Sequence, residues 1–147
     1  MRKTDDMQFS FVTDDGLTLT LRRILPSRRL HAEPVLLVHG AGVRSHIFEP
    51  PTDTTLPRLL TQAGHEVWLL DWRASIDIAP SQWTLDQAAV FDYPAAVAKI
   101  REISGADTLK AVIHCQGSTS FMMALCAGLL PEVSSVVANA VALHPVV

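Results

Sequence analysis

The sequence predicts an α/β fold, with an N-terminal hairpin leading into a mostly parallel sheet that carries helices on both faces. Three observations predict it. Short apolar runs of strand length, such as Val35–Val38 and Val67–Leu70, alternate with segments whose apolar residues recur at helical spacing. Those runs are continuous rather than alternating, the pattern of strands buried on both faces. Of the 147 residues, 48% are hydrophobic and 18% charged, enough apolar surface for one domain-sized core.

Gln8–Val12 and Leu17–Leu25 flank the turn residues Asp14-Asp15-Gly16, and the second segment alternates through Leu17, Leu19 and Leu21, which predicts a hairpin. Val35–Val38 follows as a buried strand. Leu56–Ala63 carries Leu56, Leu59, Leu60 and Ala63 at helical spacing, with Pro57 in the first turn and Gly64 as the stop. Val67–Leu70 is the next buried strand. Thr84-Leu85-Asp86-Gln87 fits a capping box opening a helix to about Ser104, kinked or restarted at Pro94 and stopped by Gly105, with Ala96, Ile100 and Ile103 inward. Leu109–Ile113 is a strand, Gln116–Leu130 a helix ended by Pro131, and Val136–Leu143 the last strand. The helix after residue 115 is apolar nearly all round (Phe121 to Ala127) and is expected to be buried on most sides.

The formal net charge of −3 and scattered Lys and Arg give no reason to expect nucleic acid. The one basic cluster, Arg22, Arg23, Arg28 and Arg29, reads equally as a solvated turn or a patch for anions. Cys115 and Cys126, the two cysteines, would lie about three helical turns apart and are not expected to bridge. The polar start of the chain shows no secretion signal, and the longest apolar run, Phe121–Pro131, is too short for a bilayer. A soluble, cytoplasmic protein with reduced cysteines is the expectation.

The strongest chemical motif is Lys110-Ala-Val-Ile-His-Cys-Gln-Gly-Ser-Thr119. It reads as a strand passing into a helix through one sharp corner with Cys115 at the tip and Gly117 as a small neighbour. Such a corner lifts a nucleophile above the carboxyl edge of a sheet, and small residues are needed where strand and helix backbones nearly touch. A helix N-terminus behind a thiol favours its anion. Ser118 is a rival nucleophile, but a motif centred on it starts at Gln116, which is not small, so Ser118 belongs to the first helical turn. Cys126, mid-helix with no polar neighbour, is expected to be a small buried hydrophobe.

Acyl transfer at such a corner needs two main-chain amides aimed at the developing oxyanion. One is Gln116, following the nucleophile; the other comes from the loop after the first buried strand, His39-Gly40-Ala41-Gly42, where Ala41 is the candidate donor. His39 is read as shaping this loop. A dinucleotide fingerprint over Gly40–Ser45 is a competing reading, weakened by Ser45 at the third glycine position and by Pro50-Pro51 where a helix should run. Asp71-Trp72-Arg73 reads as packing and loop anchoring. His46, His65, Asp77 and Asp92 have bland placements, and His144, just past the last strand, alone falls near the catalytic edge.

His39-Gly-Ala-Gly42, Trp83-Thr-Leu-Asp-Gln-Ala88, Asp92-Tyr-Pro-Ala95 and His114-Cys-Gln-Gly117 together resemble the α/β-hydrolase superfamily over roughly residues 8–147. They are similar to its acid-lipase branch, which has Ser where Cys115 stands, and to the Cys-nucleophile hydrolase domains fused to cholesterol-oxidase-like GMC oxidoreductases. Dienelactone hydrolase is another member with cysteine in this place. The resemblance implies hydrolysis of carboxylic esters or lactones, apolar small-molecule substrates, no cofactor and no metal. It leaves as alternatives a non-catalytic docking or lipid-binding module associated with a GMC-type oxidoreductase, and a nucleotide-binding domain. Ile113 departs from the pattern, standing where a small residue is usual. Triad members in this fold run nucleophile, acid, histidine. After Glu132 there is no Asp or Glu, and the only later His is His144. The expectation is therefore an N-terminal part of a single hydrolase domain, truncated after the sixth strand, with the triad acid and His beyond residue 147.

Overall fold

The computed structural model describes residues 6–141. β1 (Asp6–Val12) and β2 (Thr18–Ile24) form the antiparallel hairpin, turned at Asp14-Asp15-Gly16. Gly16 has φ 87°, a left-handed conformation that a side chain resists, and the Thr13 hydroxyl closes the turn on the Asp15 carboxylate. The six-stranded sheet has the order β1-β2-β4-β3-β5-β6. β3 (Val35–Val38), β4 (Val67–Asp71), β5 (Leu109–His114) and β6 (Val133–Asn139) are mutually parallel, and β2 joins them antiparallel along β4. The α/β prediction holds. The hairpin's place beside β4 was not legible, because strand order is a tertiary property.

Both faces of the sheet are covered. Leu36, Val38, Trp68, Leu70, Ala111 and Ile113 pack with Tyr93, Ile100 and Phe121 in the larger core. Leu37, Val67 and Leu69 pack on the other side, with Leu56 and Leu60 of α1 (Leu56–Gln62) against them. This two-sided burial is why β3 and β4 carry no polar alternation. The register sets Val38 beside Leu70 and beside Ile113, so the carboxyl ends of β3, β4 and β5 lie side by side.

The Thr84–Gln87 capping box forms and opens α2 (Leu85–Gln87). A π turn over Ala88–Asp92 then leads into α3 (Tyr93–Ser104), so the expected break at Pro94 is one wide turn just before it, with Pro94 in the first turn of α3. Gly105 ends α3 in the left-handed region, as expected. α4 spans Cys115–Cys126, shorter than predicted. Gly128, at φ 70°, stops it: Leu129 N–H bonds Ala124 O, closing the helix end before Pro131 is reached. This also corrects Cys126, which is the last helical residue and exposed rather than buried. Only the Phe121 and Ala124 side of α4 enters the core, with Met122, Met123 and Leu125 half-buried.

β6 starts three residues earlier than expected, and residues 142 and 143 of the predicted strand lie outside the described residues. The basic cluster divides: Arg28 and Arg29 are exposed at the bend after β2, as the solvated-turn reading expects, while Arg22 and Arg23 are half-buried on β2. Arg22 pairs with Asp6 and Glu49, and Arg23 and Arg29 share the buried Glu66. Among the described residues no helix is long and apolar enough to cross a membrane.

Candidate active site

β5 becomes α4 in a single residue. His114 is extended (φ −129°, ψ 136°), and Cys115, the first helical residue, has φ 53°. A non-glycine residue there costs on the order of 1–2 kcal/mol, so the surroundings must hold it. The Ser118 hydroxyl donates to Cys115 O, Phe121 and Ala124 anchor the helix, and the Tyr93 hydroxyl pairs with Ser120 Oγ at 2.6 Å beneath the first turn. Burial pushes the Tyr93 phenol well above its ordinary pKa, so it stays a neutral hydrogen-bonding group. Cys115 itself is exposed.

Two glycines explain how β3 and α4 come so close. A Cβ on Gly117 would stand 2.2 Å from the carbonyl oxygen of His39. A Cβ on Gly40 would stand 2.9 Å from Cys115 Cβ and 3.4 Å from its Sγ. The loop after β3 therefore lies directly against the thiol. Gly42 serves differently: nothing crowds it, but its φ of 69° turns the loop. Ala41, between them, is exposed, and its amide has no backbone partner among the described residues. Gln116 is the second residue of α4, where an amide has no acceptor within the helix.

Asp71, at the carboxyl end of β4, ties this loop down. Its carboxylate accepts from Ser45 N (2.7 Å) and Ser45 Oγ (2.8 Å), and from Ser75 Oγ at 3.2 Å. The buried His39 stands alongside, its Nε2 3.4 Å from Asp71 Oδ1 and its Nδ1 2.6 Å from Gly40 O. Burial pushes the Asp71 carboxyl up, but His39 and Ser45 outweigh it and hold its pKa at about 2. Trp72 Nε1 donates to His39 O at 2.9 Å, fixing the loop from below. The anchoring expected of Asp71-Trp72 and the loop-shaping expected of His39 are thus visible as specific bonds.

A second cluster was missed in the sequence. Arg73 bonds the buried Asp92 through Nε (3.0 Å) and an amino nitrogen (2.6 Å), and Asp15 at 3.0 Å. Burial alone would loosen the Arg73 proton, but the two carboxylates hold the guanidinium charged. Asp92 lies in the π turn, two residues before Pro94, and nothing local in the sequence signals its burial. His46 is exposed but lies in a one-turn 3-10 helix (Ser45–Phe48) rather than a loop, and Asp77 is an exposed loop residue paired with Arg44. His65 stacks on His31 at 3.8 Å. His144 lies outside the described residues. A depression of about 600 Å³ lined by Thr18, Thr20, Asp71 and Ile78 does not include Cys115. No group of three or more metal-ligating side chains occurs among the described residues.

The comparisons with known proteins agree with this fold. The chain belongs to the α/β-hydrolase fold family, whose sequence profile matches residues 33–146. It is 30% identical over 158 residues to lipase member K of Homo sapiens, covering 95% of this chain and 39% of that one. It is also 30% identical over 100 residues to the poly(3-hydroxyalkanoate) polymerase subunit PhaC of Cupriavidus necator, covering 66% of this chain and 16% of the polymerase. The fold matches the Pyrococcus furiosus esterase Pf2001 with a TM-score of 0.73 at 17% identity, over 93% of this chain and 50% of the esterase. The chain spans between 30% and 39% of the length of the lipases it matches.

Proposed function

We propose that the protein hydrolyses carboxylic esters or lactones through Cys115. The sulfur attacks the carbonyl carbon, the amides of Ala41 and Gln116 receive the negative oxygen, and the alcohol leaves with a proton. Water then cleaves the acyl-thioester, releasing the acid and restoring the thiol. A downstream acid and His, beyond residue 147, complete the triad, in keeping with the short share of its relatives that this chain spans. The substrates are apolar small molecules and no cofactor takes part.

The observation that carries this reading is the exposed thiol at φ 53°, set at the start of a helix with a glycine loop pressed against it. Strain of this kind persists where function needs it. The test is turnover of a fluorogenic short-chain ester panel by the whole protein. Cys115→Ala is expected to lower kcat/KM by about 1000-fold or more. Unchanged turnover would sink the assignment of Cys115, and no turnover of any ester by the whole protein would favour the docking module associated with a GMC-type oxidoreductase.

A further inference from the structure

We infer that Ser118 is a positioning residue: its hydroxyl aims the Gln116 amide at the oxyanion through the peptide plane that joins Cys115 to Gln116. The inference rests on the proposed function and adds to it a residue that never touches substrate. Ser118 is fully buried, and its hydroxyl donates to Cys115 O at 2.5 Å. That oxygen and the Gln116 N–H belong to one planar trans peptide and project to opposite sides of the chain. Whatever holds the oxygen therefore fixes the direction of the N–H, which faces away from the buried hydroxyl.

The plane needs holding because of the residue before it. Cys115 sits at φ 53°, which is strained for a residue with a side chain. It relaxes by turning its backbone, and that swings the same peptide plane. Ser118 restrains the oxygen end of it. The next two carbonyls are held separately: the Ser120 hydroxyl, also fully buried, lies 3.2 Å from Gln116 O and 3.3 Å from Gly117 O, and pairs with Tyr93 at 2.6 Å. The planes of those carbonyls carry the amides of Gly117 and Ser118, which are not the oxyanion donors. A serine in any helix can bond back to the turn before it. This one takes the carbonyl of the strained nucleophile itself.

Two reactions of the same sulfur separate aim from structure. With p-nitrophenyl butyrate the Cys115 sulfur bonds the carbonyl carbon, the carbonyl oxygen becomes an oxyanion, and p-nitrophenolate then leaves. With iodoacetamide the sulfur bonds the methylene carbon as iodide leaves, and no oxyanion forms. Ser118→Ala in the whole protein is expected to lower kcat/KM for the ester by about tenfold or more, a part of the roughly 100–1000-fold that loss of one oxyanion donor costs. Alkylation of Cys115, followed by peptide mass spectrometry, should stay within about twofold of the unaltered protein. Ser120→Ala removes an equally buried hydroxyl from the same turn and should keep the ratio of the two rates within about threefold. An unchanged ratio in Ser118→Ala, an equal fall of the ratio in Ser120→Ala, or a Ser118→Ala chain that no longer folds would overturn the inference while leaving Cys115 as nucleophile. Failure of p-nitrophenyl butyrate to acylate Cys115 in the unaltered protein would overturn the reading of the site itself, and the role of Ser118 with it.

Discussion

Gly117→Ala puts the close approach of strand and helix to a quantitative test. The added carbon would stand 2.2 Å from His39 O and 2.9 Å from Val38 Cγ1. A carbon–oxygen contact relaxes at about 3.3 Å, so roughly 1 Å must open between β3 and the start of α4. Overpacking of this kind costs about 1–3 kcal/mol. Movement of the His39 carbonyl also breaks its bond from Trp72 Nε1, leaving a buried donor unmet at about 1–3 kcal/mol. Alanine's better helix propensity returns about 1 kcal/mol. The net is a loss of about 3 kcal/mol, or roughly 6–12 °C in Tm for a chain of this size. Gly105→Ala is the control: its φ is 70° but nothing lies within 4 Å, so it pays backbone strain alone, about 1–2 kcal/mol. Urea unfolding followed by tryptophan fluorescence measures both. Because His39 leads into the Gly40–Ala41 loop, kcat/KM should also fall by about 100-fold in Gly117→Ala. A Gly117→Ala protein unfolding within about 0.5 kcal/mol of wild type would refute the packing argument.

Asp71→Asn tests the latch on the same loop. Folding lowers the Asp71 pKa to about 2, so its stabilisation is complete above the unfolded value of about 3.9 and fades as pH falls through 2. With its side chain 17% exposed, the contribution is about 2 kcal/mol, and the variant's stability should decline less between pH 5 and about 2 in urea titrations. His65 works in the opposite pH range. Burial first, then the charges of His31 and Lys110, hold its pKa below the ordinary 6.5, so the unfolded chain takes the proton more readily. Stability should therefore drop as pH falls below about 6.5, and His31→Ala should shrink that drop and raise the His65 midpoint seen by NMR. Arg73→Met leaves Asp92 buried without its partner and should cost about 3–5 kcal/mol in urea unfolding. Adding Asp92→Leu should restore most of it, and failure to do so would show that the Asp15 contact is what matters.

Much of this molecule is written in short windows of sequence. The apolar runs at Val35–Val38 and Val67–Leu70 are strands, and Asp14-Asp15-Gly16 is the hairpin turn, because backbone preferences and side-chain periods act over a few residues. The corner at Cys115 was legible for the same reason: strand, small residues and helix adjoin there. Its bounds were less so, since Gly128 ended α4 where Pro131 was expected and left Cys126 in solvent. Other features had no local sign. That β2 lies beside β4, that Asp71 reaches Ser45, and that Arg73 joins Asp92 to Asp15 depend on residues 19 to 58 positions apart. Such pairings follow from the order and register of the strands, which local periodicity does not encode. The sequence by itself determined which segments are strands and helices and which thiol sits at their sharpest junction. Only the tertiary structure decided what that thiol faces, because the Gly40 loop reaches it through the packing of β3 against β5 and α4.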